Sequence, residues 1–160
     1  MSDGEVLRIV GDLCSLNADY ICHQCNCVTS GIGMYLAKTI FTKFPYANVY
    51  KDRNKRVRDT PGTICIKGDG RTERYIINMF AQYYPNTARY PNDSTELRQK
   101  WFLMCLDKMA KCVQYGASVA FPERIGCNSA GGDWNVYYAM ITKFAMVRPD
   151  LYVILCALPK

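Results

Sequence analysis

The sequence predicts a single α/β domain, a three-layer α/β/α arrangement in which a mixed six-stranded sheet carries helices on both faces. Three observations predict it. Short apolar runs of strand length alternate with segments of helical spacing, in the order β-β-α-β-β-α-β-α-β. Nearly half of the 160 residues are hydrophobic, enough for one substantial core. Two glycine-bearing loops, His23 to Gly33 and Arg124 to Trp134, each follow a strand-like run and lead into a helical segment.

Taken in order, Val6–Val10 reads as a strand that ends at Gly11-Asp12, and Tyr20–Gln24 as a second that runs into the first glycine loop. Leu36, Ile40 and Phe44 give residues 35–44 helical periodicity, stopped by Pro45. Thr63–Ile66 and Arg74–Phe80 are strands, and Gly68-Asp69-Gly70 between them is a hairpin-type turn. A Tyr-, Pro- and Asn-rich loop covers residues 83–93. Ser94 then caps a long helix with Leu97, Trp101, Met104, Cys105, Met109 and Cys112 on its inner face, ended by Gly116. Ser118–Phe121 is a buried strand, Trp134–Val147 a helix with Trp134 in the core, and Leu151–Cys156 the last strand. No repeat, linker or low-complexity segment interrupts the pattern, so residues 1–160 form one domain.

Composition narrows the function. No apolar run approaches the roughly 20 residues that span a bilayer, and the acidic start Met1-Ser2-Asp3-Gly4-Glu5 is no signal peptide. Nine cysteines, an odd number in largely apolar surroundings, argue for reduced thiols in a cytoplasmic or nuclear compartment. Cys22, His23, Cys25 and Cys27 resemble a metal cluster only in composition. In a strand, Cys22 and His23 point to opposite faces, and no second Cys/His pair completes a site, so no metal and no cofactor is expected. The net charge of +6 suits an anionic ligand. The densest basic run, Lys51 to Arg58, is read as a solvated loop rather than a nucleic-acid patch, because it lacks interleaved aromatics.

A strand, a glycine turn and a helix N-terminus together make an anion site, since unpaired backbone N–H groups and the helix dipole face the ligand. Two such loops at strand C-termini can line one crevice and hold one elongated ligand with a diphosphate between them. Neither is a P-loop or a dinucleotide-binding turn: the Gly-Lys-Ser/Thr ending is absent, and Gly31-x-Gly33 lacks the third glycine.

The motifs around the loops resemble the macrodomain family, which binds ADP-ribose. They are Gly11-Asp12-Leu13, His23-Gln-x-Asn26-Cys27 with glycines into a helix ending Lys43-Phe44-Pro45, Ile77–Gln82, and Ile125-Gly126-Cys127-x-x-Ala130-Gly131-Gly132-Asp133-Trp134. They keep the family's order and cover residues 5–158. The branch most similar is the ADP-ribose 1''-phosphate phosphatases, with the terminal ADP-ribose–protein glycohydrolases a related branch.

The resemblance implies a monomeric protein whose partners are ADP-ribose, ADP-ribose 1''-phosphate or ADP-ribosylated proteins, with nucleic acid and membrane outside its range. It implies that Asp12, beside Leu13, accepts the adenine amino group and that Asn26 touches the distal ribose. Gly31, Ile32 and Gly33, with Ile125, Gly126, Cys127, Asn128, Ser129, Ala130, Gly131 and Gly132, clamp the diphosphate. Gln82 and Tyr83 border the distal ribose. Hydrolysis at that ribose needs a positioned water. The resemblance gives positioning to Asn26 and acid–base work to His23 and Asp133; His23 is the one side chain with a suitable unperturbed pKa. His23 also reads as a strand histidine bonded to backbone, and Asp133 as a helix cap. Met79 and Ala130 stand where the glycohydrolases carry a lysine and an aspartate, which directs any de-ADP-ribosylation to a lysine-independent route. Asn128 and Ser129 replace the family's inner pair, and Tyr35 falls where its second loop-one glycine is expected. A non-catalytic reader of ADP-ribose is the alternative function.

Overall fold

The computed structural model describes residues 4–160. Six strands and three α-helices follow the expected order: β1 Val6–Val10, β2 Tyr20–Cys25, α1 Tyr35–Lys43, β3 Ile64–Lys67, β4 Tyr75–Phe80, α2 Thr95–Cys112, β5 Ser118–Pro122, α3 Trp134–Val147 and β6 Tyr152–Ala157. Two single 3-10 turns, Leu13–Ser15 and Pro45–Ala47, lie outside the sequence-based elements. The first forms because Asp12 caps it, its side chain accepting from the Cys14 N–H.

The sheet order is β1-β6-β5-β2-β4-β3. All neighbours run parallel except the edge pair β3 and β4, which the turn at Gly68–Gly70 makes antiparallel. Side chains alternate across each strand. Cys22, Ile77, Met79, Val119, Phe121, Val153 and Leu155 therefore pack beneath α2 and α3. Ile21, Cys25, Ile76, Phe80, Ala120 and Ile154 pack beneath α1. Helices thus cover both faces, the three-layer arrangement expected.

The inner face of α2 differs from expectation. Its buried stripe is Arg98, Trp101, Phe102, Cys105, Leu106 and Met109, while Cys112 is exposed and Leu97 and Met104 are half-buried. Apolar spacing alone does not place an arginine in that stripe. Arg98 sits there because the fully buried Asp93 neutralises it. Ser94 caps the helix as expected, its hydroxyl accepting the Leu97 N–H. Trp134 is half-buried at the edge of the core rather than within it.

The topology fixes where a ligand can enter. From β2 the chain crosses through α1 toward β4 and β3; from its neighbour β5 it crosses through α3 toward β6 and β1, on the other face. Where two adjacent parallel strands send their crossovers apart, a crevice opens at their carboxyl ends. The two glycine loops leave β2 and β5 at that point.

Candidate functional site

A cleft of about 1080 Å³ occupies this crevice. The loop after β2, jaw one, contributes Asn26, Thr29, Gly33, Met34 and Tyr35; the loop after β5, jaw two, contributes Arg124 to Ala130. Asp12 and Leu13 after β1 line it on the β6 side, and Gln82 after β4 lines it on the other.

The jaws present unpaired donors. Among the described residues, no protein acceptor meets the backbone N–H groups of Gly126, Asn128, Ser129 and Ala130 in jaw two, or of Ser30, Ile32, Gly33 and Met34 in jaw one. The first N–H groups of α1 are also open, since Met34 offers no side-chain cap. Asn26 is 8 % exposed. Its Oδ1 accepts from the Val28 and Thr29 N–H groups, closing the turn, while its Nδ2 has no protein partner. The donors of this set that line the cleft, Gly33 and Met34 in jaw one and all four in jaw two, suit a phosphate or another anion.

Glycine is sterically required in both jaws. A Cβ on Gly33, whose φ is +78°, would lie 2.8 Å from the Tyr50 ring. One on Gly132 would lie 2.5 Å from the Gly126 carbonyl oxygen, which accepts the Gly132 N–H at 2.9 Å.

Each jaw is held from behind by a buried arginine. Arg53 donates to the Asn26 and Thr29 carbonyls, pairs with Asp59, and lies over the Tyr50 ring at 4.6 Å. The basic run is therefore not a solvated loop throughout: Lys51, Lys55 and Arg56 face solvent, but Arg53 is 7 % exposed. Arg98 donates to the Asn86 and Tyr84 carbonyls and reaches Ala130 of jaw two at 3.4 Å. Sequence reasoning missed both arginines, along with Gln24, which lines the cleft and donates to Gln82 at 2.6 Å. A loop has no periodicity from which the burial of one charged residue could be read.

Two residues expected to be catalytic stand elsewhere. His23 is 1 % exposed beneath α1, edge-on to Phe41 at 5.2 Å, and does not line the cleft. Its Nε2 lies 2.6 Å from Asn78 Oδ1. Asn78 Nδ2 donates to Ala47 and Cys65, which leaves Oδ1 to accept and assigns the proton to Nε2. Burial lowers the His23 pKa to about 4 against the opposing pull of the Asn78 bond. Period-two alternation explains the placement: Gln24 takes the cleft side, and His23 shares the inward face with Ile21 and Cys25. Asp133 caps α3, accepting the Asn135 N–H at 3.0 Å, and it too lies outside the cleft lining.

Of the expected binding residues, Asp12, Leu13, Gly33, Gln82 and the stretch from Ile125 to Ala130 line the cleft. Gly31, Ile32, Tyr83, Gly131 and Gly132 do not; they shape the jaws from outside, as when the Tyr83 carbonyl accepts the Cys27 N–H. The Asp12 carboxylate is held below its usual pKa by the Ser15 hydroxyl and the Cys14 N–H. Burial pushes the Cys127 thiol, which lines jaw two, up to about 11, so it is protonated at neutral pH. No three His, Cys, Asp or Glu side chains among the described residues group to hold a metal ion. Helix α1 begins at Tyr35, whose φ of +55° is the conformation a glycine takes there.

No protein-family model and no curated protein sequence matches the chain. Solved structures do. The macrodomain of Mycobacterium tuberculosis DarG is 19% identical with a TM-score of 0.72, over 98% of this chain and 99% of that one. A protein of unknown function from Bacteroides thetaiotaomicron is 24% identical with a TM-score of 0.72, over 96% and 98%. The macrodomain of Thermus aquaticus DarG is 17% identical with a TM-score of 0.71, over 98% and 99%. At these identities the likeness is one of architecture, and the architecture of this chain is the macrodomain fold.

Proposed function

We propose that the cleft binds ADP-ribose, free or attached to a protein. The observation that carries this reading is the pair of glycine loops with unpaired N–H groups on both walls of one cleft. A diphosphate between them would be met from both sides by donors the fold leaves open. The Asp12 oxygens each accept one hydrogen bond and keep lone pairs for an adenine amino group, with Leu13 and Cys156 as apolar neighbours in the lining. Asn26 Nδ2 and Gln82 serve the distal ribose. The net charge of +6 favours the anion at long range.

Calorimetry with ADP-ribose tests the proposal. One site with a dissociation constant on the order of micromolar is expected, with ADP weaker because it lacks the distal ribose. No heat at high-micromolar ADP-ribose would sink it.

A second reading, hydrolysis of ADP-ribose 1''-phosphate, is favoured by one feature. Asn26 Nδ2 and the open jaw-two N–H groups line the same cleft and suit charge that develops in a transition state. This reading no longer uses His23 or Asp133, and it gives the buried Met79 no role. Phosphate release that falls further in Asn26→Ala than ADP-ribose affinity does is its expected signature. Binding without release makes the chain a reader.

A further inference from the structure

We infer that Arg53 is a positioning residue for the anion site, and that the segment from Asn48 to Asp59 is a clasp that sets the amide directions of jaw one. The inference rests on the cleft being an anion site.

The clasp grips jaw one at successive backbone groups. Tyr50 accepts the Asn26 N–H on its hydroxyl at 2.9 Å and the Gly31 N–H on its carbonyl at 3.2 Å. Asp59 N–H donates to the Cys27 carbonyl. Arg53 Nη1 donates to the Asn26 and Thr29 carbonyls at 3.0 and 3.2 Å, and Asn48 Nδ2 donates to the Gly31 carbonyl at 2.9 Å.

The consequence follows from peptide geometry. In a planar trans peptide the C=O and the next N–H point in opposite directions. Fixing the Thr29 carbonyl on Arg53 turns the Ser30 N–H away from the guanidinium. Fixing the Gly31 carbonyl on Asn48 does the same for Ile32. Those two N–H groups are among the ones with no protein acceptor; Ser30 and Ile32 stand outside the cleft lining and adjoin Thr29 and Gly33, which line it, so their peptide planes set how jaw one presents those two residues. Arg53 itself cannot drift, because its guanidinium lies over the Tyr50 and Phe80 rings at 4.6 and 5.4 Å and pairs with Asp59. Its five donors in a rigid fork can serve two carbonyls and a carboxylate at once; a lysine ammonium on the same stem cannot hold that geometry. The jaw is thus organised before a ligand arrives, which lowers the ordering cost of binding.

The test compares wild type with Arg53→Lys and Asn48→Ala, using ADP-ribose by calorimetry and adenosine, which has no phosphate, by saturation-transfer NMR. Arg53→Lys keeps the charge, so loss of affinity reads geometry. The expected result is a roughly tenfold weaker affinity for ADP-ribose in Arg53→Lys, a smaller loss in Asn48→Ala, and adenosine binding unchanged in both. Unchanged ADP-ribose affinity in both variants overturns the clasp, as does an equal loss for adenosine. The ligand-free proteins give an independent readout: the Ser30 and Ile32 amide resonances shift in both variants while those of jaw two stay in place. If wild type binds no ADP-ribose, the reading of the cleft fails. Unmoved Ser30 and Ile32 resonances then overturn the clasp as well, whereas shifted ones leave the positioning standing.

Discussion

Tyr35 is the residue with the clearest conflict between side chain and backbone. Its φ of +55° is left-handed, a region that costs a residue with a Cβ about 1–2 kcal/mol. The side chain does not offset this, since Tyr35 is 63 % exposed and makes no ring contact or side-chain hydrogen bond among the described residues. Tyr35→Asn is expected to stabilise the fold by about 1 kcal/mol, because asparagine tolerates this conformation and little packing is lost. Urea denaturation checks it, and a lower midpoint would refute the strain argument. Among the described residues, the two other non-glycine residues at positive φ, Asn86 and Arg124, line the same cleft, so these departures from regular backbone gather at the site.

At the scale of elements, the strands and helices were legible and the loops between them were not. Apolar runs and caps mark an element locally, so β1 and α3 have their expected limits and the other elements shift by one residue, except α2, which stops at Cys112 instead of running on to Gly116. The glycine loops were legible because their composition has few other uses. Their supports were not, because Arg53 and Arg98 are buried by partners distant in space, and spacing carries no trace of that. Reading His23 as catalytic followed its residue type; its place on the inward face of β2 follows from alternation once Gln24 is seen to face the cleft. Arg98 gives the sharpest test at this scale. It joins α2 to the segment from Tyr84 to Asn86 and to jaw two, and its ion pair with Asp93 is almost wholly buried. Arg98→Met leaves that carboxylate buried without its cation, a loss of about 3–5 kcal/mol. A denaturant midpoint implying a loss below about 1 kcal/mol would show the pair to be dispensable.

For the whole molecule, the buried His23 makes stability respond to mild acid. The chain has a single histidine, and burial lowers its pKa from 6.5 to about 4 in the folded state. Between those values the unfolded chain binds a proton that the folded chain refuses, so acid favours unfolding there. The stability due to neutral His23 is complete above the unfolded pKa of 6.5 and declines as pH falls toward 4. At 1.36 kcal/mol for each pH unit, the loss is about 3 kcal/mol. The carboxylates whose pKa is depressed in the fold act in a lower window. Asp12, Asp69, Asp93 and Asp150 begin to lose their contribution about one unit above their unfolded pKa of 3.8 and lose most of it below that value. The windows separate in their upper part, and chemical denaturation across pH 5 to 7 reads His23 with little carboxylate background. His23→Gln, which keeps a donor for Asn78 but cannot titrate, is expected to flatten the curve in that range while costing stability at pH 7 through altered packing against Phe41. A slope that survives the substitution would assign the acid sensitivity to another group.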